Sequence, residues 1–298
     1  MKFGKVEHPE LVDFSLPPNH PDTEVLLAKY KAGTEALKVK IGCAKWNRQD
    51  LKNFYPRGTK DELVHYSSQF NSIELNATFY RIFPAKTYEG WYEKTPESFR
   101  FFPKIVQNVS HLRRLNEQAY PILEEYINVT ANLKDKLGTM FLQMHNNFSP
   151  KDWDRVVRFV EHWPKEFALA MEFRHTDWFN DAGVAQELYH LLEENHIANV
   201  LVDTAGRRDI MHMRLTNNEA FIRYVGANHE SDRSRLDHWV DRLYDWKNKG
   251  LRNIHFFVHQ NMELESPLLS AYLIHKLNER LQLDLKVPET LINTKSFS

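Results

Sequence analysis

Six charged residues stand where short apolar runs end: the acids Glu74, Glu172 and Asp203, and the bases Lys104, Arg174 and Arg223. Strand alternation points such positions at a core, where an unpaired carboxylate costs several kcal/mol or takes up a proton. They mark either a structural ion-pair network or a ligand site. Several polar residues come at i and i+2, which puts both side chains on one face of a strand: Glu74 with Asn76, Glu172 with Arg174, and His259 with Asn261. Two of the three carboxylates would serve as general acid and base if different neighbours separate their pKa values. Glu74, Glu172 and Asp203 are therefore the expected catalytic residues. Lys104, Arg174 and Arg223 suit a phosphate or carboxylate and are expected to bind it.

Positioning these groups together requires a repeating scaffold. Eight β-rich runs recur at fairly even spacing, residues 39–43, 72–76, 99–105, 139–144, 167–173, 198–203, 220–226 and 254–260. Helical periodicity fills stretches between them, at 59–70, 152–163, 181–196 and 234–250. Strand and helix alternating eight times predicts an α/β chain folded as a (β/α)8 TIM barrel, whose active site lies where strands end. A doubly wound open sheet is the alternative. It loses support because "GCAKWN" follows the first run in place of a glycine-rich phosphate loop. Residues 1–38 are expected to be an N-terminal extension packed on the barrel, 39–285 the barrel domain, and 286–298 a loosely held C-terminal tail. The strand-end rule adds Gln143 and Asn261 as ligand-binding candidates, and Trp46 and His175 stand at the rim, where aromatics stack on a sugar or base. The loop "QNVSHLRRL" brings His111 beside Arg113 and Arg114, as an anion clamp or as the coat of a helix start.

Bulk composition narrows the partners. Of 298 residues, 39 are Lys or Arg and 40 Asp or Glu, so no global field draws nucleic acid or an anionic membrane, and any nucleic-acid binding requires a local patch. No run is apolar enough to span a bilayer, and the single cysteine, Cys43, fits a reducing compartment; the expectation is a cytoplasmic protein. Cys43 reads more readily as packing than as a nucleophile. Acids and a histidine on different strands would suit a divalent metal, but three cations beside them oppose it. No cofactor is expected, and a divalent metal is the lesser alternative.

The stretches "IGCAKW", "FNSIELNATFYR", "TPESFRFFPKI", "SHLRRL", "MEFRHTDWF" and "IRYVG" fall in an order that resembles the YecE-like family, also called domain of unknown function 72. The resemblance covers roughly residues 39–280 and implies a (β/α)8 barrel. It carries little about activity, because the family's function is not established. The matching positions are Trp46, Glu74, Asn76, Tyr80, Lys104, His111, Glu172, Arg174, His175, Asp203 and Arg223. The chain departs from the family pattern at Ala44 and Lys45, at "QMHNN" after the fourth run, at Val225 in place of a frequent histidine, and at "HQN" over 259–261. His145 and His259 are candidates to compensate for that histidine.

The expected function is a hydrolase or lyase acting on a phosphorylated or otherwise anionic, ring-containing small molecule. The alternatives are a non-catalytic nucleotide or nucleic-acid binder and a metal-dependent phosphodiesterase.

Overall fold

The computed structural model describes residues 4–33 and 35–290; the outer part of the expected tail, 291–298, lies outside the described residues. Among the described residues nine strands are all paired in parallel: β1 Lys38–Cys43, β2 Ser72–Leu75, β3 Arg100–Pro103, β4 Met140–Gln143, β5 Leu169–Glu172, β6 Ala198–Asn199, β7 Leu201–Asp203, β8 Glu219–Gly226 and β9 Asn253–Gln260. Each of the eight expected runs holds a strand, and the sixth is split at Val200 into β6 and β7. The protein is a mixed α/β fold with parallel sheets. Its ladders form three of them, ordered β1-β9-β8-β7, β2-β3 and β4-β5-β6, so one continuous eight-stranded ladder is not present among the described residues.

Helices alternate with the strands: α1 Pro21–Ala28, α2 Glu62–Gln69, α3 Ala77–Tyr80, α4 Ala85–Lys94, α5 Tyr120–Thr130, α6 Trp153–His162, α7 Asp177–Asn180, α8 Ala182–Glu194, α9 Ser231–Lys249 and α10 Ser266–Leu281. Their ends follow local chemistry. Asp61 accepts from the amides of Leu63 and Val64 at the start of α2, and Asp181 does the same for Gly183 and Val184 at α8. Gly250 closes α9 at φ 131°, where an added Cβ would lie 2.0 Å from the Leu27 carbonyl oxygen.

The gaps between sheets are closed by other means. Leu137 and Phe141 make isolated bridges to Phe101 and Lys104, and the Ile105 amide donates to the Phe141 carbonyl at 2.9 Å, tying β3 to β4. Between β1 and β2 the side chain of Asn71 stands in for a ladder. Its Oδ1 accepts from the Ile41 amide and its Nδ2 donates to the Val39 carbonyl, both at 2.9 Å. Tyr66 adds a second stitch, its hydroxyl accepting from the Cys43 amide and donating to the Ser72 carbonyl. The strands run so close that a Cβ on Gly42 would sit 2.2 Å from the Ser72 oxygen.

A buried cluster of Phe102, Phe141, Ala170, Ala198, Val200, Val202, Phe221 and Phe257 draws on all three sheets. It forms the floor on which the polar strand ends stand. The N-terminal segment is stapled to α9: Trp246 Nε1 donates to Asn19 Oδ1 at 2.9 Å, and Arg242 donates to the Pro17 carbonyl at 2.9 Å. At the other end, Lys286 Nζ donates to the Ser68 carbonyl and the Glu289 amide donates to Gln69, so residues 286–289 are tied down on α2. Among the described residues, no helix is long and apolar enough to cross a membrane.

Candidate active site

Five polar residues at the mouth follow a floor residue by two positions: Lys104 after Phe102, Gln143 after Phe141, Glu172 after Ala170, Arg223 after Phe221, and His259 after Phe257. Period-two alternation thus delivers five side chains to one level. Arg223 is the hub. Its Nε and Nη2 grip the two oxygens of Glu74 at 2.9 and 2.8 Å, and its Nη1 donates to Glu172 at 2.6 Å. Glu172 also accepts from Arg174 Nε at 2.6 Å and from Gln143 Nε2 at 3.0 Å. Glu74 accepts from Asn76 at 2.7 Å and lies 3.0 Å from His259 Nε2.

Burial of Glu74 would raise its pKa, yet the Arg223 guanidinium and His259 outweigh that and hold the carboxyl well below the usual range. Glu172 is likewise buried, but Arg174 and Arg223 bring it down to about 2. Both are ionised anions with their lone pairs taken, which makes them poor bases near neutral pH. Lys104 is different. Its side chain is buried with the residue 1 % exposed, its Nζ donates to Gln143 Oε1 at 2.8 Å, and it sits 4.0 Å from the centre of the Phe79 ring. Burial, then Arg223, lower the ammonium to about 7 against the pull of Glu172 and Glu74.

Above this network opens a cleft of about 480 Å³. Of the expected site residues, Trp46, Glu74, Asn76, Tyr80, Lys104, Arg174, Arg223 and Asn261 line it. Gln143 and Glu172 lie beneath, bonded to the lining residues. His259, a candidate to compensate for the family's histidine, also lines the cleft, as do Lys45, one of the departures from the family pattern, and Asp50 and Glu263, which no sequence pattern singled out. His259 stands between two acids, with Nδ1 3.8 Å from Glu263.

Three expected residues are elsewhere. Asp203 does not reach the mouth: it is wholly buried against α9, bonded to Arg235 and Trp239 Nε1 at 2.7 Å each and to Arg208. Strand parity is the reason, since Val200 and Val202 belong to the floor and the next position on that face is Thr204. His111, in the π-helical turn Asn108–Leu112, packs edge-on against Phe79 and not in the cleft. Burial, with Lys104 and His145 next, lowers its pKa to about 4. His175 pairs with its neighbour Asp177 at 3.5 Å. Among the described residues, no group of three His, Cys, Asp or Glu side chains is arranged to hold a metal ion.

Residues 40–291 match the family model described as protein of unknown function DUF72. The chain belongs to this family. It is 26% identical over 203 residues to the UPF0759 protein YecE of Escherichia coli K12, spanning 62% of this chain and 74% of that one. To the UPF0759 protein YunF of Bacillus subtilis it is 29% identical over 202 residues, spanning 64% and 71%. The crystal structure of a DUF72 family protein from Enterococcus faecalis V583 superposes with a TM-score of 0.66 at 16% identity, over 84% of this chain and all of that one. A DUF72 family protein from Thermotoga maritima gives 0.57 at 21% identity, over 83% of this chain and all of that one. These likenesses speak for the fold alone.

Proposed function

We propose that this DUF72 protein is a cytoplasmic hydrolase or lyase whose three sheets act as arcs of one (β/α)8 barrel, and that its substrate is a small, ring-bearing anion held in the cleft. The observation that carries this reading is the composition of the cleft. Its buried acids Glu74 and Glu172 are already matched by the Arg223 and Arg174 guanidinium groups, Asp50 is paired with Lys45 and Glu263 stands beside His259, so the cations on the cleft wall favour an anionic guest. Arg174 would face the anionic group, with Lys104 beside it at the reacting part of the ligand. Arg223 is committed to two carboxylates and acts as the keystone that keeps them buried. Trp46 and Tyr80 offer ring faces at the edge. Proton movement falls to Lys104 and His259, because Glu74 and Glu172 are held ionised.

A thermal-shift screen of phosphorylated metabolites beside their dephosphorylated counterparts tests this. A ligand at about 100 times its Kd stabilises by about 2.7 kcal/mol, a shift of several degrees in a chain of this size. Only the phosphorylated forms should shift wild type, and Arg174→Met should abolish the shift. The reading fails if no phosphorylated compound stabilises the protein, or if Arg174→Met responds as wild type does. Salt-sensitive binding of single-stranded nucleic acid without turnover would point instead to a nucleic-acid binder.

A further inference from the structure

We propose that Lys104 is a covalent nucleophile that forms an imine with the carbonyl carbon of a phosphorylated aldehyde or ketone, including a sugar phosphate in its open form. This deepens the anion-binding reading above and rests on it for the phosphate.

The arrangement around the amine carries the inference. Two carboxylates lie in the same network, yet among the described residues neither comes within 4 Å of Lys104 Nζ as an ion pair. Gln143 stands between. Its carbonyl accepts from Lys104 at 2.8 Å while its amide donates to both oxygens of Glu172 at 3.0 and 3.1 Å. The orientation of the glutamine is fixed by Glu172, since the ionised carboxylate can only accept, which turns the amide NH2 toward it and leaves the carbonyl for the amine. The amine therefore meets a neutral oxygen on one side and the Phe79 ring on another. The ring face holds an ammonium, but burial away from water and the nearby Arg223 and Arg174 guanidinium groups outweigh it and favour the uncharged amine, the form that attacks carbonyls. Facing it are Arg223, Glu172, Arg174 and Glu74, with His111 behind the Phe79 ring. A lysine buried only for packing would be expected to end on a carboxylate, and this one lines the cleft instead.

The chemistry balances without an added oxidant or metal. The lone pair of Nζ attacks the carbonyl carbon and forms the C–N bond as the C–O π pair moves to oxygen. Both Nζ protons pass to that oxygen, which leaves as water, and the C=N bond forms. The imine then withdraws electrons from the neighbouring carbon–carbon or carbon–hydrogen bond, which suits the lyase branch of the proposed function.

Dihydroxyacetone phosphate with sodium borohydride is the test, read by intact mass and peptide mapping at pH 7, with dihydroxyacetone and inorganic phosphate as controls. Wild type should gain one reduced adduct on the peptide holding Lys104, at least roughly tenfold faster than any surface lysine, because far more of a lowered-pKa amine is neutral. Inorganic phosphate should slow the reaction, and Lys104→Arg should lose it. The native protein supplies a readout that needs no variant: labelling of Lys104 by acetic anhydride should rise with a midpoint near pH 7, the value to which burial lowers it. Adduct spread evenly over surface lysines, or unchanged in Lys104→Arg, overturns the proposal. If phosphate stabilises the protein but no adduct forms at Lys104, the imine fails and the anion site stands. If the adduct forms with equal speed from dihydroxyacetone and phosphate has no effect, the nucleophile stands and the anion site fails.

Discussion

Two buried charge clusters in this chain have nearly the same ingredients and opposite surroundings. At the mouth, Arg223 and Arg174 neutralise Glu74 and Glu172. Under α9, Arg235 bridges Asp203 and Asp232 at 2.7 and 3.0 Å. The second cluster is sealed. The Arg235 guanidinium lies between the Phe14 and Tyr224 rings, 4.2 and 4.4 Å from their centres, and Trp239 caps Asp203. The first borders an open cleft and adjoins the Lys104 amine, whose hydrogen-bond partner is the neutral Gln143 carbonyl and not a carboxylate. Paired charges alone therefore identify a well-built interior; access and an unspent proton-carrying group identify a place for chemistry.

The largest test of that contrast removes each hub. Arg223→Met and Arg235→Met should each cost about 3–5 kcal/mol by urea denaturation, because each takes a guanidinium away from two buried carboxylates. Only Arg223→Met should also abolish the shift that a phosphorylated ligand produces. Equal loss of ligand response in both variants would erase the distinction.

A pH titration of stability comes next in size. Glu172 falls from its ordinary value to about 2 in the folded state, so its stabilisation is complete above the unfolded pKa and is lost as pH drops toward 2. Lys104 works the other way at the alkaline end. Its folded pKa of about 7 lies below that of the unfolded chain, so the unfolded state binds more protons between pH 7 and about 10 and stability rises across that window. Lys104→Met should flatten the alkaline rise, on the order of a few kcal/mol, and leave the acid limb in place. A rise that persists in the variant would place its origin elsewhere.

Tyr80→Ala should produce the smallest effect. The residue is 62 % exposed, so stability should change by no more than about 0.5 kcal/mol. Affinity for a ring-bearing ligand should weaken by about 1 kcal/mol in a calorimetric titration. Unchanged affinity would remove the rim from the site.

Much of this was legible in sequence because alternation is a strong signal in parallel strands. The eight runs and the convergence of Glu74, Lys104, Glu172, Arg174 and Arg223 at strand ends follow from it. Asp203 marks the limit of that signal. It ends a run, but facing the interior also requires the parity set by Val200 and Val202. The same parity rule, counted from Phe257, picks out His259. The intervening role of Gln143 and the side-chain stitch by Asn71 carry no local pattern. They depend on which strands meet, and hydrogen-bond partners 39 and 30 residues apart are not announced by composition.

The Asn71 stitch has a mechanical consequence. Residues after β1 and after β2 line neighbouring parts of the cleft, while the line joining those strands is held by an amide and a phenol. Parting there widens the aperture before any backbone ladder is broken. A guest that touches both Trp46 and Asn76 would act as a clasp across the slit, and exchange of the Ile41 and Cys43 amides with deuterated solvent would slow as it closed.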